Sequence, residues 1–461
     1  VIRRFVAFLD RRSGGSSALG KTLRYVFPDH WTFLFGEIAL YSFVILVATG
    51  IFLTLFFEPS TSQIVYHGSY APLRGQEVSK AYASAVDLSF DVRAGLLMRQ
   101  VHHWAALVFV AAITVHLMRI FFTGAFRKPR DVNYYVGLTM LVLAVVEGYA
   151  GYSLLDDLLS GMGLAIGNGV ALSVPVVGGQ LGTLIWGGRF PGSDAFMSRL
   201  FIAHVLLFPI AIAALMSVHL AMVALPRHTQ FRGRGRRERN VIGTPLWPAY
   251  ALRSLGLFFA VAAVLFALGG LVQINPIWQW GPYEPYLGTN GAQPDWYLGW
   301  LIGALRLMPH FDVVIGSYTL IPNPFWGGVL FPGLVFGFLY AWPAIERRWT
   351  GDRAQHNLLD RPRDNPRRTA IGAALFAWVA TIFFAGAADR AFVQLGVPYE
   401  GQLWGYRVAA ILVPIVTYFV AGWICRRLRE GEEHPGGSSE PTLVSRNRAG
   451  GFDSVSPPER G

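Results

Sequence analysis

The sequence predicts an all-α membrane protein of eight transmembrane helices, the first four forming a bundle. Three observations carry this expectation: composition, the length of the apolar runs, and the placement of positive charge. Of 461 residues, 53% are hydrophobic and 15% charged, the balance of a polytopic membrane protein. Apolar runs long enough to cross a hydrocarbon layer of about 30 Å occupy residues 33–57, 95–122, 133–155, 200–225, 251–274, 325–345, 370–390 and 405–425. Pro209 and Pro332 fall inside the fourth and sixth. A membrane bundle tolerates them by re-satisfying the freed backbone groups. The chain divides into a basic amphipathic segment at the cytoplasmic surface (1–32), a four-helix bundle (33–225), a basic loop (226–250), a C-terminal four-helix region (251–425) and a tail (426–461). The tail is rich in Gly, Ser, Pro and Glu, which predicts disorder.

The net charge of +11 raises nucleic acid as a partner, and its placement argues against it. Assigned to alternating loops, 30 of the 39 Lys and Arg fall on one face, in residues 1–32, 119–132, 226–253, 346–368 and the tail. The positive-inside rule puts both termini in the cytoplasm. The loop RHTQFRGRGRRER (227–239) is therefore a topology determinant, compatible with contact to anionic membrane lipids. The opposite loops, 58–94, 156–198 and 275–324, are long and rich in Gly, Pro and aromatics. Ordered loops of that length usually carry function. The lone cysteine, Cys425, allows no disulfide within the chain, no iron–sulfur cluster and no C-x-x-C-H attachment site.

Four histidines lie inside two of the apolar runs: His102 and His116 in the second, His204 and His219 in the fourth. A helix turns about 100° and rises about 1.5 Å per residue, so 14 residues return to within roughly 40° of the same face after roughly 21 Å. Fifteen residues overshoot by roughly 60°. With the N-terminus inside, both runs point inward, so His102 and His204 lie near the outer face and His116 and His219 near the inner. Pairing by depth predicts two non-covalent b-type haems, each with two axial imidazoles. A single intramembrane histidine is more often a hydrogen-bonded core residue; four paired by depth are harder to dismiss. His103 competes with His102, but 13 residues separate it from His116, a net turn of roughly 220°. His102 is therefore the ligand and His103 a polar neighbour.

Arg99 and Arg119 each stand one turn outward from a ligand, where a haem propionate projects; ordinary snorkelling is the plainer alternative. Gly36 and Gly50, and Gly137 and Gly151, repeat the 14-residue interval and offer positions without side chains to a flat macrocycle. Close helix packing is the alternative reading. Glu147 reads as an unpaired intramembrane acid, either a proton relay or a protonated packing contact. Asp156 and Asp157 read as exposed loop acids, with proton exit as the alternative.

Together, R99-x-x-H102, H116-x-x-R119, the glycine pairs and R199…H204…H219 resemble the cytochrome b subunit of the respiratory cytochrome bc complex (quinol–cytochrome c reductase, complex III). Pro294-Asp295-Trp296-Tyr297 is similar to that family's Pro-Glu-Trp-Tyr motif, with Asp in place of Glu. The resemblance covers about residues 25–425. The 15-residue spacing is similar to the photosynthetic and Gram-positive branches. The unsplit chain, the Asp and the basic extension look like the actinobacterial branch. Gly-Tyr-Ser-Leu-Leu-Asp-Asp (151–157) stands where many relatives have Gly-Tyr-x-Leu-Pro-Trp.

The resemblance implies quinol oxidation at an outer site. One electron would go to a Rieske iron–sulfur protein, and the other through two haems to quinone at an inner site, contributing to proton motive force. It implies menaquinol as substrate and a c-type cytochrome subunit as a further partner. It also implies a homodimeric complex, a supercomplex with a cytochrome c oxidase, and a bacterial plasma membrane. It assigns proton acceptance to Asp295, with Tyr297 its hydrogen-bonding neighbour and Gly163, Tyr152, Pro294 and Trp296 in the outer pocket. By residue chemistry alone, this tetrapeptide is a helix start with an Asp near the dipole. At the inner site Ala224 replaces a common histidine and Arg253-Ser254 a common Lys-Asp pair, leaving His228, Arg253 and Ser254 as candidates. A dihaem membrane anchor of another quinone-linked oxidoreductase and a haem-free transporter are the rival readings.

Overall fold

The computed structural model describes residues 23–188, 190–192, 194–226, 228–287 and 293–433, and the backbone of 443–446 and 452–455. The amphipathic segment expected at the start lies outside the described residues up to position 22, as does most of the tail. Leu443–Arg446 and Phe452–Val455 pair as an antiparallel ladder.

Eight helices among the described residues are long and apolar enough to cross a membrane. They are Trp31–Thr54, Gly95–Thr123, Asp131–Leu155, Ala195–Ala224, Leu246–Leu271, Trp326–Thr350, Pro366–Gly386 and Tyr399–Glu430. They are numbered here as spans one to eight. Every expected run is present. The eighth helix continues to Glu433, past the 425 boundary, because a formed helix propagates one hydrogen bond per residue through polar residues that hydropathy does not count.

Two spans contain a π-helical turn before a proline, Ala203–Leu207 before Pro209 and Trp326–Leu330 before Pro332, and the fifth span opens with a kink at Trp247, whose backbone is extended, before Pro248. Proline lacks an N–H and crowds the preceding turn. The wider turn is how these helices accommodate it.

Loops gather at two opposite ends. At the loop-rich end, the Tyr82 hydroxyl donates to the Ile277 carbonyl (3.2 Å), an Arg99 guanidinium N–H donates to the Asn275 carbonyl (3.0 Å), and Asp157 bridges to Pro282. At the basic end, Val26–Phe27 pairs with Thr244–Pro245, Gln230–Phe231 pairs with Leu358–Leu359, and an Arg130 N–H donates to the His356 carbonyl (2.9 Å). The charges there are not all loose topology markers. Arg368, 2% exposed, joins Glu346 (2.6 Å) and Asp360 (2.9 Å), and Arg127 joins Asp360 (3.0 Å). Removing one partner would strand a buried charge, which is costly. The network therefore ties spans six and seven to the bundle.

The core runs through Phe109, Leu138, Ile212, Tyr297 and Trp342, so residues of the C-terminal half pack into the N-terminal bundle. A short helix, Trp296–Leu307, does this. A Cβ at Gly303 would overlap the Ile382 carbonyl, so the helix lies backbone to backbone on the seventh span. That seating fixes Asp295 at its start.

Candidate functional site

The four predicted histidines meet as two pairs. The rings of His102 and His204 have centroids 6.1 Å apart, and those of His116 and His219 are 6.4 Å apart. Two metal–imidazole bonds of about 2 Å each, with the reach from ring nitrogen to ring centre, require a separation of roughly 6 Å. The rings therefore fit an iron between them. The first pair lies toward the loop-rich end and the second toward the basic end.

The arginines fit as well. Arg99 is buried and Arg119 partly so, and the buried Nε and Nη2 atoms of each have no hydrogen-bond partner among the described residues. Buried guanidinium donors left unpaired are expensive; a propionate carboxylate would satisfy them. Arg119 also lies 4.3 Å over the Phe33 ring.

The glycines have a different reason from the one expected. Each faces the imidazole of a candidate ligand: Gly50 faces His102, Gly36 His116, Gly137 His219, and Gly151 His204. An added Cβ would stand 3.3 Å from the ring at Gly50 and Gly36 and 3.4 Å at Gly137, and would overlap the ring at Gly151. These glycines make room for the histidine edge first.

The 15-residue interval also has a structural cause. His204 lies in the π-helical turn Ala203–Leu207, and a π turn takes one residue more per hydrogen-bonded ring than an α turn. The turn takes up the extra residue, so the expected 60° overshoot is corrected, and both histidines meet their partners.

Behind the ligands, the Nδ1 atom of His102 is 3.0 Å from the Thr49 hydroxyl, and that of His204 is 3.0 Å from Glu147 Oε1. Glu147 is therefore paired, against the sequence expectation. No side chain among the described residues hydrogen-bonds Nδ1 of His116 or His219.

At the loop-rich end, His103 points away from the pair and binds Asp295, with Nε2 to Oδ1 at 2.7 Å. The Tyr297 hydroxyl donates to Asp295 Oδ2 (3.1 Å). Asp295 sits at the N-cap of its helix, as the helix-start reading expected, but its side chain makes no capping bond and is engaged by His103 and Tyr297 instead. Burial, with Asp295 beside it, holds the Tyr297 phenol well above its usual range, so it remains a donor. Pro294 precedes Asp295, and Trp296, partly exposed, opens the helix. The Tyr152 hydroxyl donates to the Leu159 carbonyl (2.7 Å) and occupies the space a Cβ at Gly163 would need. Asp157 is fully buried and Asp156 partly so, which corrects the exposed-loop reading. Burial pushes each carboxyl up to about 6, and Asp157 caps the helix Leu158–Leu172.

At the basic end, a cavity of about 200 Å³ is lined by His30, Glu37, Tyr250, Arg253 and Ser254 among others. Glu37 accepts from the hydroxyls of Tyr41 (3.2 Å), Ser254 (2.5 Å) and Tyr250. Arg253 pairs with Asp29 at 3.2 Å. His228 does not line this cavity. It packs against Phe27 and Phe33, and burial, with Arg119 and Arg130 nearby, lowers it to about 4.

Sequence reasoning missed three residues. His103 had no assigned role, Thr49 went unremarked, and Glu37 was passed over although it is the single acid in its span. An intramembrane acid is a functional candidate by default, and that signal would have found Glu37.

The cytochrome b (N-terminal)/b6/petB family profile matches residues 107–282. A relative from Mycobacterium bovis, described as cytochrome bc1 complex cytochrome b subunit, is 48% identical over 94% of this chain and 78% of its own length. Relatives of the same description from Corynebacterium diphtheriae and Streptomyces coelicolor are 46% and 44% identical over 92% and 93% of the chain, each across 78% of its own length. A solved structure described as hyperthermophilic respiratory Complex III shares the fold, with a TM-score of 0.64 at 18% identity, covering 90% of this chain and 99% of its own. The chain belongs to the family of cytochrome b subunits of the cytochrome bc1 complex.

Proposed function

We propose that this chain is the quinol-oxidising, electron-transferring subunit of a quinol–cytochrome c reductase. The loop-rich end faces outward, the basic end faces the cytoplasm of a bacterial plasma membrane, and both termini are cytoplasmic. The observation that carries the reading is the pair of facing histidine pairs on the second and fourth spans, with a partly buried, hydrogen-bonded acid at each end of the bundle. His102 and His204 hold the outer haem, and His116 and His219 the inner. Arg99 and Arg119 neutralise propionates. Bound there, the two b-type haems supply one-electron transfer across the membrane.

The chain's own residues handle substrate and protons. Asp295 takes a proton from quinol (menaquinol by branch), while His103 and Tyr297 fix both of its oxygens. This second hold compensates for Asp being one methylene shorter than Glu. A base must stand within hydrogen-bond reach of the proton it removes, and the two anchors keep it there. Pro294 and Trp296 shape the entrance. Tyr152 and Gly163 close the adjoining wall.

At the inner end Glu37, Ser254 and Arg253 face the quinone cavity, and Glu37 with its three hydroxyl partners stores the proton that quinone reduction needs. His228 supports the wall around Arg119 rather than the substrate. With no cysteine pair of its own, the chain passes high-potential electrons to a Rieske protein and a c-type cytochrome, in a homodimer that joins an oxidase. A dihaem anchor would have no use for the helix that places Asp295.

The test is Asp295→Asn in the assembled complex. Quinol oxidation falls at least about a hundredfold, the lower end of the about 10²–10⁴ range of acid–base contributions, with both haems retained. Unchanged turnover would overturn the assignment.

A further inference from the structure

The two histidine pairs differ in what stands behind them. At the outer pair, Thr49 donates its only hydroxyl proton to the Ile45 carbonyl (2.7 Å), so toward His102 Nδ1 it acts as an acceptor. Glu147 offers its carboxylate at 3.0 Å and its own backbone carbonyl at 3.3 Å to His204 Nδ1. Both outer imidazoles therefore carry their proton on Nδ1 and leave Nε2 free for a metal. At the inner pair no side chain among the described residues plays this part.

We propose that Glu147, assisted by Thr49, is the positioning residue that sets the electron affinity of the outer haem below that of the inner. The inference rests on the four-histidine reading. An acceptor on the far nitrogen raises the basicity of a ligating imidazole, and a more basic ligand favours the oxidised, more positive iron. Glu147 presents two acceptors to one ring nitrogen, its side-chain oxygen and its backbone carbonyl, where Thr49 presents a single hydroxyl. Haems held by these pairs would differ in electron affinity in the sense that favours transfer from the outer site to the inner, and Glu147 with Thr49 would supply that bias.

The experiment is a potentiometric titration of the haems in the assembled complex, with wild type, Glu147→Gln and Thr49→Val read by visible and electron paramagnetic resonance spectra. E147Q should raise the reduction equilibrium of one haem about tenfold, equivalent to about 59 mV for one electron, and leave the other in place. T49V should move the same haem in the same direction by a smaller factor. Two haems present with unmoved potentials, or both shifted alike, would overturn the role of Glu147 while leaving the ligands standing. Fewer than two haems in the wild type would overturn the ligand reading beneath it. If E147Q does not hold the outer haem, T49V decides alone: an upward shift supports the proposal and no shift overturns it.

Discussion

The outer and inner ends of the bundle share a plan and differ in how closely it is fastened. Each has a facing histidine pair, an arginine with unpaired buried nitrogens, and two glycines against the rings. At the outer end both candidate ligands have side-chain partners, Asp295 is held at both oxygens, and Asp157 is buried and bridges to Pro282. At the inner end the ligands have no such partners among the described residues. The acid faces a cavity of about 200 Å³, and a second cavity of about 700 Å³ opens beside Arg119. Polar groups in low dielectric are stronger when satisfied and costlier when not. The loop-rich end holds its polar groups in fixed geometry, whereas the basic end leaves its acid open to a cavity.

Breaking one pair should leave the other intact. His204→Ala or His102→Ala should remove the outer haem, and His116→Ala or His219→Ala the inner. Each halves the haem absorbance of the reduced protein. Loss of both signals from any one substitution would merge the two sites into one.

The glycines sharpen the contrast. Gly151→Ala drives a methyl group into the His204 ring, whereas alanine at Gly36, Gly50 or Gly137 asks its neighbour to yield only a few tenths of an ångström. The haem of the affected pair should fall by more than half in G151A (outer) and by less than a fifth in G50A (outer) and in G36A and G137A (inner).

Glu37→Gln tests the inner terminal. Quinone-dependent re-oxidation of the haems should slow by about a hundredfold, the lower end of an acid–base contribution, with the first reduction by quinol unchanged in a rapid-mixing measurement. A slowed first reduction would place Glu37 in the outer chemistry instead.

The smallest effect concerns Asp157. Its folded carboxyl is raised to about 6, so the folded state binds the proton more tightly than the unfolded chain. Stability from this group is full below about pH 4 and is lost as pH rises through 6. Asn caps a helix as well as Asp does. Asp157→Asn should therefore flatten that slope and gain up to about 3 kcal/mol at pH 7. Hydrogen exchange over residues 158–172 reads it, and an unchanged pH profile would contradict the buried carboxyl.

What was legible in the sequence was what depends on spacing along one helix. The eight spans, the four histidines and the choice of His102 over His103 follow from length and angle alone. What joins distant segments was not legible. His103 and Asp295 are 192 positions apart, and Glu147 looked unpaired because its partner lies on another span. Asp156 and Asp157 read as exposed because the segment that covers them, Gly281 to Tyr283, lies more than a hundred positions away in sequence. The π-helical turn left one trace, an interval of 15 instead of 14, which reads as a branch marker until the turn shows it to be a correction of angle.

The most direct test of the two-site account is the haem content of the purified chain in its complex, measured by pyridine haemochrome against protein mass. The account predicts two b-type haems per chain, resolved as two one-electron components in a redox titration. One haem per chain, or none, would contradict it.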